Sequence, residues 1–256
     1  WDTGVARDAK VYFQDIGTSA GTISAPTDLG PSITAAIGKG SYIQSHSWGT
    51  STASYDTTAS SLDTAIYNNP EMVVTVAAGN GGTAGSQTIL SPSTAKNCIA
   101  VGGVDGSNPG RLFENCSWDG SAACGGANDL GSARGPVAAS SRVKPDILGY
   151  MAFNAAVGGE NMALNRPSAM CQSDATKTVY WDWINSSGFG GTSFAAPQTA
   201  GLAALVRDYF LAGFYPTGTA TPANALTPSG TLVKAVILAS GEDVATTAYP
   251  STSTVS

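Results

Sequence analysis

The chain has 256 residues, of which 42% are apolar and 12% charged, with a net charge of −6. This length suits one large domain or two small ones, and the apolar share is enough to bury a core, which argues against a disordered chain. The acidic balance without a Lys/Arg cluster argues against a nucleic-acid partner, and no apolar run is long enough to span a bilayer.

In chain order, Lys10-Val-Tyr-Phe-Gln-Asp-Ile16 alternates and stops at Gly17, which predicts a strand. Residues 27–38 predict a helix, with Pro31 near its first turn and Gly38 at its end. Tyr42–Trp48 reads as a second strand, and Ser60–Tyr67 as a second helix stopped by Asn-Asn-Pro70. Met72-Val-Val-Thr-Val-Ala-Ala78 is a continuous apolar run, the mark of a strand covered on both faces, and Cys98–Val101 is another. This alternation predicts an α/β architecture with a mostly parallel sheet covered by helices. Residues 105–132 and 150–190 are loop-rich in Gly, Ser and Asn. Gly191–Phe214 predicts a helix of small and apolar residues without a clear polar face, hence a buried one. Leu232–Ala239 predicts a last helix, and a Ser/Thr-rich tail follows from Thr246. No linker or internal repeat marks a second domain.

Four cysteines stand at 98, 116, 124 and 171, none in a CxxC pair, and the chain has one histidine, so a zinc site is a poor reading. The even count and low charge suggest a secreted or extracellular protein with two disulfides. Cys116 and Cys124 are the easiest pair to close, Cys98 and Cys171 the remainder, among three possible connectivities.

The most informative stretch is Gly191-Thr-Ser-Phe-Ala-Ala-Pro197. Gly191 permits a tight turn, and Ser193 falls where a helix N-terminus offers unpaired N–H groups and positive potential to a developing oxyanion. Pro197 is expected in the first helical turn, where its missing N–H does no harm. A bare N-cap serine is the competing reading. A Gly-x-Ser-x-Gly elbow of an α/β-hydrolase does not fit, because Phe-Ala-Ala follows Ser193. Gly38-Lys-Gly-Ser41 fails as a phosphate loop, since Gly40 separates Lys39 from Ser41.

Gly-Thr-Ser-x-Ala-x-Pro resembles the nucleophile motif of the subtilisin-like serine peptidases. Four further blocks resemble that family in the same order: Gly4-Val-Ala-Arg-Asp-Ala-Lys-Val-Tyr12, Ser45-His-Ser-Trp-Gly49, Ala77-Ala-Gly-Asn80, and Arg134-Gly-Pro followed by Arg142-Val-Lys-Pro-Asp-Ile147. The resemblance implies a three-layer fold with helices on both faces of the sheet, and a serine endopeptidase acting on protein or peptide substrates. It implies that Ser193 attacks the scissile carbonyl while Asn80 and the Ser193 N–H hold the oxyanion. Ser47, Trp48 and Gly49 are expected to pair with the substrate backbone and form one wall of the pocket for the residue before the cut. Ala77, Ala78 and Gly79 are expected to form the other wall.

The same resemblance exposes a gap. Serine needs a histidine base, itself oriented by an aspartate. His46 belongs to the Ser-His-Ser-Trp-Gly block and not to the family's His-Gly-Thr-His block, which is absent. It reads as a structural or groove-lining residue. Asp2-Thr-Gly4 looks like the family's Asp block, but Gly4-Val-Ala already matches a later one. The expectation is therefore a partial catalytic domain that starts after the His block and is inactive and incomplete alone. Its Asp and His would come from the missing N-terminal part of the same protein. The Asp strand should lie between the strands at Lys10–Ile16 and Tyr42–Ser47. A non-catalytic relative used for binding or structure is the alternative. No cofactor is required. Structural calcium is common in the family, and Asp105, Asp119 and Asp129 are loop carboxylates without a ligand-loop spacing, so no site is assigned.

Overall fold

The computed structural model describes residues 4–104, 131–151 and 191–241. Four strands form one sheet in the order β1-β2-β3-β4, every neighbouring pair parallel: β1 is Ile43–His46, β2 Val73–Ala77, β3 Ile99–Val104 and β4 Ile147–Tyr150. The helices are α1 Gly30–Ile37, α2 Thr57–Asn68, α3 Thr192–Leu211 and α4 Gly230–Ala239.

Side-chain alternation along β2 divides the helices between two faces. Val74 and Val76 pack with Leu29, Ile33, Ala59, Leu62 and Ile66 of the α1–α2 layer. Val73 and Ala77 pack with Ala195, Ala196 and Ala203 of α3 and Val233 and Ile237 of α4. All five β2 residues are buried, as a strand covered on both faces requires. The architecture is therefore α/β in three layers. Local chemistry fixes the helix starts: the Asp56 carboxylate accepts from Ala59 N–H to begin α2, and Ser229 Oγ accepts from Leu232 N–H to begin α4.

Four points depart from the sequence reading. Residues 10–16 form no strand, because among the described residues no neighbouring strand takes up their backbone groups; an isolated bridge joins Gly17 and Ile23. Val11 and Phe13 stay 88% and 79% exposed. Gln14 Nε2 instead donates to Ser32 O, holding the segment against α1. Second, Ile147–Tyr150 does form a strand, paired to β3 from Val101↔Ile147 to Val104↔Tyr150. Third, α3 is buried only along Thr192, Ala195, Ala196, Thr199, Ala203 and Phe210, while Leu202, Leu205, Tyr209 and Leu211 face outward. Its first half lies on the sheet through small residues, and Phe210 is the large side chain that is buried near its end. Fourth, α3 begins at Thr192, so Pro197 is its sixth residue and lies beyond the first turn.

Cys98 is a free, fully buried thiol, its Sγ set against the carbonyls of Pro92, Ser93 and Ala95. Burial pushes its pKa up, as in an inert core thiol. The expected bridge to Cys171 is therefore not seen; Cys171, Cys116 and Cys124 lie outside the described residues, as do the loop-rich stretches and the tail. Asp105, Asp119 and Asp129 lie outside as well, and no cluster of metal-ligating side chains occurs among the described residues. No helix among them is long and apolar enough to cross a membrane.

Candidate active site

The candidate residues gather where β1 and β2 end and α3 begins. Beyond β2 the chain turns through Gly79, whose φ is +112°. A side chain there would also press within 3.0 Å of Leu90 Cγ, so both conformation and space call for glycine. Ala78 N–H donates to Val101 O at 2.9 Å, and Ala133 N–H to Gly79 O at 2.9 Å, which fixes the turn. Gly191, with φ +129°, precedes α3, and a Cβ there would sit 2.9 Å from Asn80 Nδ2.

That closeness carries the central hydrogen-bond chain. Gly79 N–H donates to Thr192 Oγ1 at 3.1 Å, and the Thr192 hydroxyl donates to Asn80 Oδ1 at 3.1 Å. Thr192 N–H donates to the same oxygen at 2.9 Å. Two donors on Oδ1 fix the orientation of the amide, so its NH₂ group is the end left to donate elsewhere. Thr192 is fully buried, while Gly79 and Asn80 are half-buried, so the hydrogen-bond chain runs from the interior to the edge of solvent.

Ser193 follows as the second residue of α3, partly exposed, and its N–H is one of the helix donors without an intrahelical acceptor. Its Oγ donates to Ser47 O at 3.3 Å, and Ser47 Oγ donates to Ser193 O at 2.8 Å. Ser47 and Gly49 are exposed; Trp48 is half-buried against the α1–α2 core, its ring 5.5 Å from that of His46. A Cβ at Gly49 would meet Ser91 O at 3.1 Å. Ala77 and Ala78 are buried, Ala77 toward α3 and Ala78 beside Ile89 and Ala133.

His46 precedes Ser47 in the chain but faces the other side of the sheet. Gln44 and His46 pair with Val74 and Val76, so they share the α1–α2 face of the sheet, whereas Ser193 belongs to the α3 face. Its Nε2 lies 3.1 Å from Gln44 Oε1, its Nδ1 has no partner, and burial lowers its pKa to about 4. It is buried in the α1–α2 layer, on the face away from α3.

The family model described as the subtilase family matches residues 2–251. The chain belongs to the subtilase family. This subtilase is similar over 92% of its length to two Dictyostelium discoideum proteins, serine protease/ABC transporter B family proteins tagB and tagD, with 25% and 24% identity. The match covers 15% and 16% of those proteins, so the chain spans about a sixth of the length of these relatives. Among solved structures it is similar to a prenylagaramide maturation protease, PagA, with 18% identity and a TM-score of 0.44, over 85% of this chain and 69% of that one.

Two contacts among these residues were not read from the sequence. Thr192 orients Asn80, and the Ser47 hydroxyl holds the backbone of Ser193. The first leaves no local signature. The second has one: a proline six residues into a helix leaves the carbonyl four positions earlier, that of Ser193, in need of a donor.

Proposed function

We propose that this chain supplies the nucleophile and oxyanion site of a serine endopeptidase, as part of a catalytic domain completed by polypeptide outside these 256 residues. The observation that carries the reading is the placement of Ser193 at the start of α3 beside Asn80, whose oxygen is engaged by Thr192 and whose NH₂ is left to donate. Ser193 Oγ attacks a peptide carbonyl. The Ser193 N–H and Asn80 Nδ2 then donate to the oxygen as it gains charge, and the helix N-terminus adds favourable potential. The substrate backbone runs along Ser47–Gly49 as an added strand. Trp48 shapes that side, while Ala77, Ala78 and Gly79 bound the other through small side chains and backbone.

The proton of Ser193 goes to a histidine that this chain does not contain, oriented by an aspartate from the same missing part. Supporting this, the sole histidine is buried on the opposite face of the sheet. Further support comes from residues 10–16, which expose Val11 and Phe13 while β1 stands at the sheet edge, so there is room for another strand. Residues 1–256 alone are then inactive, and the intact protein works outside the cell.

The test is labelling of the intact native protein with a fluorophosphonate probe. Labelling that disappears in Ser193→Ala is the expected result, with none on residues 1–256 alone. If the intact protein is not labelled at Ser193, the non-catalytic alternative, a binding or structural role, takes its place.

A further inference from the structure

Ser193 is held from two directions, and only one of them is the Asn80–Thr192 chain. In an α-helix the carbonyl of residue i accepts from the N–H of residue i+4. For Ser193 that partner would be residue 197, which is proline and has no N–H. The nucleophile's own carbonyl is thus released from the helix. Ser47 Oγ donates to it at 2.8 Å, across 146 residues of sequence, and Ser193 Oγ returns a bond to Ser47 O at 3.3 Å. One turn deeper, Thr75 Oγ1 of β2 donates to Ala196 O at 3.1 Å, so strand hydroxyls pin the start of α3 at two successive points.

We propose that the Ser47 hydroxyl is a positioning group for the nucleophile: through the carbonyl that Pro197 leaves open, it sets the distance between Ser193 and the strand on which substrate lies. This rests on the serine-peptidase reading above. Ser47 immediately follows β1 and is exposed, so water could satisfy the Ser193 carbonyl if the hydroxyl were removed. Fold stability therefore does not need the bond. Placement does, because water fixes no distance between α3 and β1. Attack on a carbonyl is sensitive to displacements well below 1 Å, and one neutral hydrogen bond corresponds to about tenfold in rate when its whole effect falls on alignment.

The experiment uses the intact protein and saturation kinetics of fluorophosphonate acylation at Ser193, with melting temperature followed in parallel. Ser47→Ala should lower the maximal acylation rate about tenfold, leaving the half-saturating probe concentration and melting temperature little changed. Ser47→Thr, which keeps a hydroxyl on a β-branched frame suited to an extended segment, should stay within about twofold of wild type. Pro197→Ala restores a helical N–H to the Ser193 carbonyl without tying it to β1. The double variant Ser47→Ala/Pro197→Ala should therefore remain slow. Acylation of Ser47→Ala at the wild-type rate would overturn the proposal. So would joint recovery of rate and stability in the double variant, since the hydroxyl would then only be satisfying a carbonyl. A wild-type protein unlabelled at Ser193 removes the peptidase reading, and the positioning role falls with it.

Discussion

The two ends of the sheet are built from opposite chemistry. At the end where β1 and β2 finish, neutral donors and acceptors meet in two pairs, Asn80 with Thr192 and Ser47 with Ser193, partly open to solvent. At the end where β3 and β4 start, charges are enclosed. Lys144 is 5% exposed and its Nζ lies 2.6 Å from Asp146 Oδ2, which also accepts Ala100 N–H at 2.7 Å. Lys234 Nζ stands 3.9 Å from the same carboxylate and donates to Lys96 O and Cys98 O, while burial lowers its pKa. The contrast teaches a division of labour. Enclosed charges are costly to unpair, so they lock one end. Exposed neutral bonds cost little to break, so at the other end they govern geometry more than stability.

The largest blow to that contrast is Asp146→Ala. It strands the buried Lys144 ammonium and the Ala100 N–H, and should cost about 3–5 kcal/mol in chemical denaturation of the intact protein. Residual folded material should keep its intrinsic activity. Asn80→Ala should weigh the other way, lowering turnover roughly 10²–10³-fold at a smaller stability cost of about 1–3 kcal/mol, because the buried Thr192 loses its acceptor. The turnover range comes from a subtilisin relative and does not follow from this geometry.

His46 sharpens the comparison between layers. Its pKa falls from the ordinary value of 6.5 to about 4 because burial disfavours the imidazolium. The folded state binds a proton less readily than the unfolded state. The neutral ring is therefore harmless above pH 6.5, and stability drains as pH falls from there toward 4. His46→Gln should remove that part of the acid slope, on the order of 2–3 kcal/mol at the low end, in melts between pH 7 and 4. The smallest effect is expected for Thr192→Val. It keeps the shape and the Thr192 N–H bond to Asn80 but deletes one hydroxyl, and should slow acylation of Ser193 by about tenfold.

Sequence made one half of this picture legible. Val73–Ala77 could be read as a covered strand because continuous apolar character needs burial on both faces, and it has that burial. Gly191-Thr-Ser placed a helix start within a residue, since glycine, turn and hydroxyl act locally. Residues 10–16 show the limit. Their alternation matches a strand as well as β1 does, yet a strand exists only through its neighbour, and no local pattern reports whether that neighbour is there. β4 was missed for the opposite reason: Ile147-Leu-Gly-Tyr150 is too short to signal by itself and owes its form to β3. In the site, Ser193 and Asn80 were legible as motif positions. The Thr192–Asn80 and Ser47–Ser193 bonds were not, because each joins residues more than 100 positions apart.

That separation also governs timing. Asn80 and Thr192 are 112 positions apart, and the helix bearing Ser193 rests on all four strands. On a ribosome the strands β1 to β3 emerge well before α3 is made, so Asn80 is present long before Thr192, the residue that engages its amide oxygen. On the reading proposed above, these groups come together only when the late helix lands on the finished sheet.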